Sequence, residues 1–266
     1  MNSPGHSPVR ITRAFILAAG LGTRFKPWTD RHPKALAPVN GKTLLQRNIE
    51  YLRKYGIEEV VVNVHHFAGQ IIDALTVNHG WGSRIMISDE TAEVLETGGG
   101  LKKARPFLEG SSAEVRDGSP FVLMNVDILT DMDLSALIED HFRRRPLATL
   151  AVTGRATSRY FLFDARDELC GWRNVSTGEE RMVRLPGGPG MAGAGGNRLV
   201  QKAFSGIHVI EPAIFPLITR DGKFSIVDLY LDLAADHSIR AFDHSHSLLV
   251  DVGRPESAEQ AARLFP

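Results

Sequence analysis

Short apolar runs alternate with stretches of helical spacing through the first half of the chain. Residues 14–19 are continuously apolar and end at glycine, which predicts a strand buried on both faces. Apolar residues then recur every three or four positions over 43–55, which predicts a helix with Thr43 as its N-cap and Gly56 as its stop. The same patterns predict strands at 59–64, 84–88, 121–126 and 148–153, and helices at 67–75, near 96–106 and at 134–145.

Strands that alternate with helices of this length form βαβ units. The predicted fold class is therefore α/β: a single Rossmann-like domain with a mixed, mostly parallel sheet and helices on both faces. Short alternating segments over 159–184 add a small antiparallel hairpin. A strand at 203–210, a helix at 225–236, a strand at 247–252 and a helix from Pro255 then restore the α/β rhythm.

We expect the single domain to span residues 14–266. Two segments, one before it and one within it, differ from the rest in composition. Residues 1–13 are polar and contain proline, and we expect them to form a flexible N-terminal arm. Residues 186–198 contain eight Gly or Pro in thirteen positions, which leaves too little side-chain volume to pack, so we expect a mobile loop there.

Composition and charge exclude several classes of partner. The 266 residues contain 31 Lys+Arg and 31 Asp+Glu, so no bulk positive charge favours nucleic acid or an anionic membrane. The single cysteine, Cys170, excludes an intrachain disulfide framework and fits a reducing compartment. The first residues lack the apolar core of a signal peptide, and no apolar run approaches the ~20 residues that cross a bilayer. We expect a cytoplasmic protein.

The stretch LAAGLGTRFKPWTDRHPKALAPV, which begins at Leu17, carries the candidate chemistry. Its glycine turn could be a simple tight turn, but prolines stiffen the long loop behind it and hold two cations, Arg24 and Lys34. Glycine turns let backbone N–H groups approach phosphates, and two fixed cations beside one suit a polyphosphate. Neither a dinucleotide-binding G-x-G-x-x-G motif nor a Walker A motif is present.

This stretch resembles the signature of the sugar-1-phosphate nucleotidylyltransferases, or nucleotide-sugar pyrophosphorylases, and the resemblance extends over most of residues 14–264. It implies that Arg24 holds the departing pyrophosphate and that Lys34 lies near the reacting α-phosphate. It also implies that the turn contacts the base and phosphates of a nucleoside triphosphate through Leu17, Ala19, Gly20, Gly22 and Thr23.

The segment LETGGGL, residues 95–101, looks like the second base-side segment of that family. It is most similar to the form in N-acetylmuramate-1-phosphate uridylyltransferases and in some mannose- and heptose-1-phosphate guanylyltransferases. The resemblance implies nucleotide contacts from Glu96, Thr97, Gly98 and Gly99. A helix N-terminus capped by Thr97 is a second interpretation, and both can hold at once.

The resemblance also implies a magnesium site and a sugar pocket. Asp127, in MNVDILTD, and Asp251, in LLVDVGRPE, correspond to the two Mg²⁺ ligands of the family, although Val126 stands where glycine is usual. An isolated aspartate after a strand is also a common turn or cap residue. The sugar-side candidates are Asn125, Asn174 and Gly206.

The implied reaction is Mg²⁺-dependent transfer of a nucleotidyl group from a nucleoside triphosphate to a sugar 1-phosphate. The alternatives are a phosphocholine-type or other non-sugar acceptor, or a nucleotide-sugar-binding regulatory subunit without catalysis. Such a subunit would be expected to lack one of the four charged residues that the motifs supply, and all four are present. The sequence leaves the base, the sugar and the oligomeric state open.

Overall fold

The computed structural model describes residues 10–109, 118–184 and 199–266. Within these ranges the chain forms fourteen strands, six α-helices and five short 3-10 helices. The strands are β1 (Arg13–Leu17), β2 (Pro38–Val39), β3 (Lys42–Thr43), β4 (Glu59–Val64), β5 (Arg84–Asp89), β6 (Phe121–Asn125), β7 (Ile128–Thr130), β8 (Ala148–Thr153), β9 (Arg159–Phe163), β10 (Leu169–Asn174), β11 (Glu179–Met182), β12 (Val200–Ile210), β13 (Ile239–Asp243) and β14 (Leu249–Asp251). The helices are α1 (Leu44–Lys54), α2 (Ala68–Val77), α3 (Glu96–Leu108), α4 (Leu134–Arg144), α5 (Ile226–Leu233) and α6 (Pro255–Leu264).

Ten strands form one mixed sheet in the order β11-β10-β9-β12-β6-β1-β4-β5, with β8 beside β12 and β13 beside β8. Strand β1 lies at the centre of the parallel part, between β4 and β6, and β5 continues it. Strand β12 runs antiparallel to β6, β8 and β9. The carboxyl ends of β1, β4 and β6 therefore meet at one edge of the sheet, where α/β proteins place their ligands.

Helices cover both faces of this sheet because its central strands are apolar on both sides. On one face Phe15 and Leu123 pack in a cluster with Leu101 of α3 and Tyr230 of α5. On the other face the neighbouring strand residues pack against the second cluster, which draws on helices α1, α2 and α4. This arrangement confirms the α/β fold predicted from the alternating strand and helix patterns. Within the described ranges no helix is both long and apolar enough to cross a membrane.

The structure differs from the sequence prediction in three places. Residues 159–184 form three antiparallel strands, β9, β10 and β11, where we expected one hairpin. Strands β2, β3, β7 and β13 were not predicted, because they are short and are defined by their pairing with distant or neighbouring strands. The expected arm is also shorter: Ile11 is buried, and the Arg13 guanidinium bonds Glu59 at 2.9 Å as β1 begins. Residues 1–9 and the predicted loop at 186–198 lie outside the described residues.

A two-stranded ribbon brings the C-terminal part of the chain to the carboxyl edge of the sheet. Strands β7 and β14 pair antiparallel with Asp251 opposite Ile128, and Val252 N–H donates to the Asp127 carbonyl at 2.8 Å. The ribbon follows directly after β6, so it lies beside the end of a central strand. Its side chains pack in a third, smaller apolar cluster with Phe25 and α6.

Candidate active site

The turn after β1 is held from the neighbouring strand. The side-chain oxygen of Asn63, near the end of β4, accepts backbone N–H groups from Ala18 at 2.6 Å and Ala19 at 3.1 Å. The Asn63 amide in turn donates to Glu90 Oε1 at 2.8 Å. Burial raises the pKa of the Glu90 carboxyl, and the hydrogen bond from Asn63 opposes that shift. One buried side chain therefore fixes the start of the glycine turn.

Gly22 lets this turn fold back on the proline-rich loop. Its φ is +60°, and a Cβ there would lie 2.9 Å from Thr29 Cγ2 and 3.1 Å from Lys34 Cβ. The Thr29 hydroxyl donates to the Gly22 carbonyl at 3.0 Å, which ties the turn to the loop. The left-handed backbone and the close approach both favour glycine. The loop consequently carries Lys34 back over the turn.

The two predicted cations occupy different environments beside the turn. Lys34 is only 9% exposed, its ammonium pairs with the Asp127 carboxylate, and it lies 5.9 Å from the centre of the Phe25 ring. Arg24 is exposed, and one guanidinium nitrogen lies 3.5 Å from the position that a Cβ on Gly253 would occupy. Arg24 therefore reaches the loop that follows Asp251.

The ribbon β7–β14 places the two aspartates together, although 124 positions separate them in the sequence. Burial raises the pKa of the Asp251 carboxyl, and the nearby negative charge of Asp127 raises it further. Positive charges on Lys34, Arg155 and Arg24 act in the opposite direction. A second carboxylate and three cations thus affect the pKa of Asp251. No group of three or more His, Cys, Asp or Glu side chains in the described ranges forms a metal-binding cluster.

These residues surround a cavity of about 570 Å³. It contains most of the predicted site, namely Leu17, Ala19, Gly20, Gly22, Thr23, Arg24, Lys34, Glu96, Thr97, Asn125 and Asp127. The cavity is also lined by residues that were not predicted from the sequence, among them Asn63, Glu90, Lys223, Ser225 and Gly253. A cavity of this size is sufficient for a small organic ligand.

A family model described as "Nucleotidyl transferase" matches residues 13–161, more than half of the chain. The chain belongs to this nucleotidyl transferase family. The match confirms the family expected from the glycine turn and the proline-rich loop.

Two curated relatives cover most of this nucleotidyl transferase. N-acetylmuramate alpha-1-phosphate uridylyltransferase of Caulobacter vibrioides is 32% identical over 253 residues, which cover 92% of this chain and 93% of that protein. Mannose-1-phosphate guanyltransferase of Yarrowia lipolytica is 27% identical over 246 residues, which cover 92% of this chain but 61% of that longer protein. The relatives thus include the two types that the LETGGGL segment indicated.

Solved structures share the fold of the transferase. The crystal structure of HddC from Yersinia pseudotuberculosis complexed with GMP-PN has a TM-score of 0.68 and 22% identity, and the match covers 96% of this chain and 100% of that one. The structure of a UDP-glucose pyrophosphorylase complexed with UDP-glucose has a TM-score of 0.70 and 18% identity, with 96% and 98% covered. At this identity the comparison establishes the fold alone.

Of the segment LETGGGL, only Glu96 and Thr97 are among the residues that line the cavity. Gly98 and Gly99 turn away: their N–H groups donate to the Phe224 carbonyl at 2.9 and 3.3 Å. A Cβ on Gly98 would lie 2.4 Å from the Phe224 ring, and one on Gly99 would lie 2.2 Å from the Gly222 carbonyl oxygen. The structure therefore gives these two glycines a packing role, whereas the sequence analysis placed them against the nucleotide.

The helix cap expected from Thr97 is not observed. Leu95 occupies that position without a side-chain cap, and the Thr97 hydroxyl accepts the backbone N–H of Ile226 at 2.9 Å instead. Thr97 thus stabilises the start of α5, where Ser225 caps Val227 N–H at 3.1 Å. Helices α3 and α5 are joined at the cavity by these contacts.

The three predicted sugar-side residues separate in the structure. Asn125 lines the cavity, and Gly206, at φ +73°, lies against it: a Cβ there would be 2.6 Å from Asn125 Nδ2. Asn174 is elsewhere, at the turn between β10 and β11, where its side chain accepts Ser176 N–H at 3.0 Å. That bond is typical of an Asx-turn, so the structure gives Asn174 a local role.

Two cavity residues, Asn63 and Lys223, were not predicted because local sequence patterns do not assign them to a site. Asn63 reads as a polar interruption in a buried strand, and a buried polar residue is itself a signal of a structural or ligand contact. Lys223 precedes α5 in sequence, and only the packing of the Phe224 segment on α3 brings it to the cavity, where its ammonium lies 3.6 Å from Glu96. No pattern local to residues 222–225 indicates that neighbour.

Proposed function

We propose that this nucleotidyl transferase moves a nucleotidyl group from a nucleoside triphosphate to a sugar 1-phosphate, with release of pyrophosphate and with Mg²⁺ as its cofactor. One observation carries the proposal. One cavity is lined by a glycine turn, by two cations from a proline-stiffened loop, and by an aspartate that pairs with one of those cations. A second aspartate adjoins this cavity. Reactants that each carry several negative charges need such an arrangement.

The donor set suits magnesium. Mg²⁺ prefers oxygen ligands, keeps several waters, and is usually held by one or two carboxylates together with substrate phosphates. Asp251 on β14 and Asp127, which directly precedes β7, supply two carboxylates, and Asp127 is close enough to raise the pKa of Asp251. When bound, the ion would neutralise charge on the triphosphate and polarise the reacting phosphate. These two residues would hold it.

The remaining groups of the chain perform the positioning. The acceptor phosphate is already ionised, so its oxygen can attack the α-phosphorus in line, and the reaction needs no general base. Lys34 would stabilise the negative charge that builds at the α-phosphate, and Arg24 the charge on the departing pyrophosphate. The backbone N–H groups of the turn, with Gly20 and Gly22 free of side chains, would contact the phosphate oxygens.

The relatives favour particular substrates. The Caulobacter vibrioides relative and a Neisseria meningitidis relative, 40% identical over 127 residues, are both N-acetylmuramate alpha-1-phosphate uridylyltransferases. We infer UTP and N-acetylmuramate 1-phosphate as the first pair to test, with GTP and mannose or heptose 1-phosphate second. Sugars of the first kind belong to cell-envelope synthesis, and a cytoplasmic location remains our prediction.

A pyrophosphate-release screen tests the proposal. The full chain is incubated with Mg²⁺, each of UTP, GTP, CTP and dTTP, and a panel of sugar 1-phosphates that also includes phosphocholine. We expect pyrophosphate release with at least one sugar 1-phosphate. The rate of release should fall by ~10²-fold in Arg24→Ala, which is the scale of one lost transition-state charge partner. A folded protein that is inactive with every pair would favour the non-catalytic regulatory alternative. Activity with phosphocholine alone would favour the non-sugar acceptor.

A further inference from the structure

The cavity carries a basic side chain to which the proposed reaction gives no role. Among the described residues that line the cavity, three are basic, namely Arg24, Lys34 and Lys223. The first two come from the glycine turn and the proline-rich loop that follow β1. Lys223 comes from a separate segment, which leads into α5.

Lys223 and Lys34 reach the cavity from opposite faces of the sheet. Phe224, the residue after Lys223, packs in the apolar cluster that includes residues of α3 and α5. Ala35, the residue after Lys34, packs in the cluster on the other face. Lys223 therefore lies on a different wall of the cavity from the ion pair of Lys34 and Asp127.

The backbone around Lys223 is fixed on α3. Phe224 N–H donates to the Leu95 carbonyl at 3.2 Å, at the start of that helix. On the other side of Lys223 in the sequence, Asp221 accepts a hydrogen bond from the Lys102 ammonium at 2.7 Å. Since the segment is already ordered, a ligand that binds the Lys223 side chain has little backbone entropy to offset.

The Lys223 ammonium is itself only loosely engaged. Its ion pair with Glu96 is 3.6 Å long, which is beyond hydrogen-bond distance, and both side chains are about half exposed. Lys102, by contrast, donates to the Arg220 carbonyl at 2.8 Å as well as to Asp221. An exposed ion pair contributes little stability, so an anion that enters the cavity can replace Glu96 as the partner of Lys223.

The charges of the two substrates indicate which anion this is. The triphosphate has Arg24 and Lys34 as its partners in the proposed reaction. The acceptor phosphate must lie beside the α-phosphorus for in-line attack, and therefore on the wall of Lys34 and Asp127. The base and the ribose carry no charge near pH 7. The remaining position for a negative charge is on the sugar of the acceptor, which extends away from the reacting phosphates.

We propose that Lys223 binds a carboxylate on the acceptor sugar and thereby favours acidic sugar 1-phosphates over neutral ones. The inference rests on the proposed function and adds to it the chemical class of the acceptor and the residue that selects it. N-acetylmuramate 1-phosphate is an acceptor of this class, because its lactyl ether carries a carboxylate at a distance from the anomeric phosphate. A lysine suits this role, since its ammonium is a compact charge on a flexible stem.

Two acceptors that differ only in the lactyl group test this role. Wild type, Lys223→Gln and Lys223→Arg are assayed with N-acetylmuramate 1-phosphate and with N-acetylglucosamine 1-phosphate, using the nucleotide that the screen selects. Lys223→Gln should lower kcat/KM for the carboxylated acceptor by about tenfold, the scale of one hydrogen bond to a charged group. The neutral acceptor's kcat/KM and the nucleotide KM should both change by less than about twofold. Lys223→Arg keeps the charge and should retain most of the preference.

Lys103→Gln is the matched control, because Lys103 is an exposed lysine of α3 and is not among the described residues that line the cavity. It should leave the ratio of the two kcat/KM values unchanged. If N-acetylglucosamine 1-phosphate is not turned over, its inhibition constant against the carboxylated acceptor replaces its kcat/KM.

Three results would overturn the inference and leave the proposed function intact. The first is an unchanged ratio of the two acceptors in Lys223→Gln, and the second is an effect of that change on the nucleotide KM alone. The third is a wild type that uses neutral sugar 1-phosphates but not the carboxylated one. A folded wild type that is inactive with every sugar 1-phosphate would overturn the inference and the proposed function together.

Discussion

The ammonium of Lys34 lies against the carboxylate of Asp127, 93 positions further along the chain. In this arrangement the lysine occupies one side of the carboxylate that we assign to magnesium. On the proposed function, a divalent cation and Lys34 would compete for Asp127 in the absence of nucleotide. A bound triphosphate would pair with the lysine through its oxygens and leave the carboxylate free for the metal.

Lys34→Ala should accordingly have opposite effects on metal binding and on catalysis. Turnover should fall by roughly 10²-fold, because a charge partner of the α-phosphate is lost. Affinity of the nucleotide-free protein for Mn²⁺ should rise by about fivefold, the equivalent of ~1 kcal/mol of removed competition. Calorimetric titration with Mn²⁺ and steady-state kinetics measure the two effects. Lys26→Ala, a lysine of the same loop paired with Asp30 at 3.0 Å, should change neither.

Asp251→Asn should remove most magnesium-dependent activity. We expect turnover to fall by ~10²-fold or more and the Mg²⁺ concentration for half-maximal rate to rise, since one of two ligands is lost. Titration of initial rates with Mg²⁺ after removal of bound metal by a chelator measures both. The comparison variant is Asp73→Asn, on the exposed face of α2. A normal magnesium titration in Asp251→Asn would exclude this residue as a ligand.

Asn63→Ala should weaken both the fold and the nucleotide site. The change leaves the N–H groups of Ala18 and Ala19 without their acceptor and leaves Glu90 without its donor. We expect the free energy of unfolding to fall by about 2 kcal/mol and the nucleotide KM to rise. Urea denaturation and kinetics give the two values. The control is Asn78→Ala, at the exposed end of α2, which should leave the KM values of both substrates unchanged. An unaltered nucleotide KM in Asn63→Ala would contradict the role given to Asn63 in holding the glycine turn.

Gly99→Ala and Gly69→Ala should have opposite effects on stability. A Cβ on Gly99 would meet the Gly222 carbonyl oxygen at 2.2 Å, whereas one on Gly69 in α2 would meet nothing within 4 Å. We expect Gly99→Ala to lower the free energy of unfolding by about 1–3 kcal/mol and to displace the segment that carries Lys223, with a higher nucleotide KM. Gly69→Ala should stabilise by about 0.5–1 kcal/mol. Chemical denaturation of both variants checks this contrast.

Stability should fall as the pH drops below about 6.5. His208 is fully buried, its Nδ1 lies 2.6 Å from the Tyr230 hydroxyl, and burial lowers its pKa to about 3. Its pKa is therefore lower in the folded chain than in the unfolded chain, so between these two values the unfolded chain binds more protons. This histidine should cost about 2 kcal/mol of folding free energy at pH 5 relative to pH 7. Denaturation at the two pH values measures the loss.

His208→Gln isolates that contribution. The variant keeps a polar group for Tyr230 but cannot titrate, so its stability should depend less on pH than that of wild type, whatever its absolute value. His246→Gln removes an exposed histidine and should leave the pH dependence as it is in wild type. Equal pH dependence in wild type and His208→Gln would contradict the assignment.

Local patterns were sufficient where the structure is local. Strands β4 and β8 match their predicted bounds to the residue, because short segments rich in Val, Ala and Leu are typical of buried strands even where one polar residue interrupts them. The glycine turn with Arg24 and Lys34 was also readable, since both chemistry and geometry lie within one stretch. The family resemblance added Asp127 and Asp251, which no local pattern distinguishes from ordinary turn residues.

The remaining features depend on contacts between distant segments. The roles of Gly98 and Gly99 are decided by Phe224 and Gly222, which lie more than 120 positions further along. Strand β13 is five residues long and is defined by its neighbour β8. Such contacts are set by packing and have no local signature.

The ribbon of β7 and β14 has a consequence for protein synthesis. Asp127 is added to the chain 124 residues before Asp251, and β7 cannot pair with β14 until residue 251 has been added. On the proposed mechanism, a growing chain that has already formed the glycine turn lacks its second magnesium ligand. Such a chain would not consume nucleoside triphosphates until β14 has been added and has paired with β7.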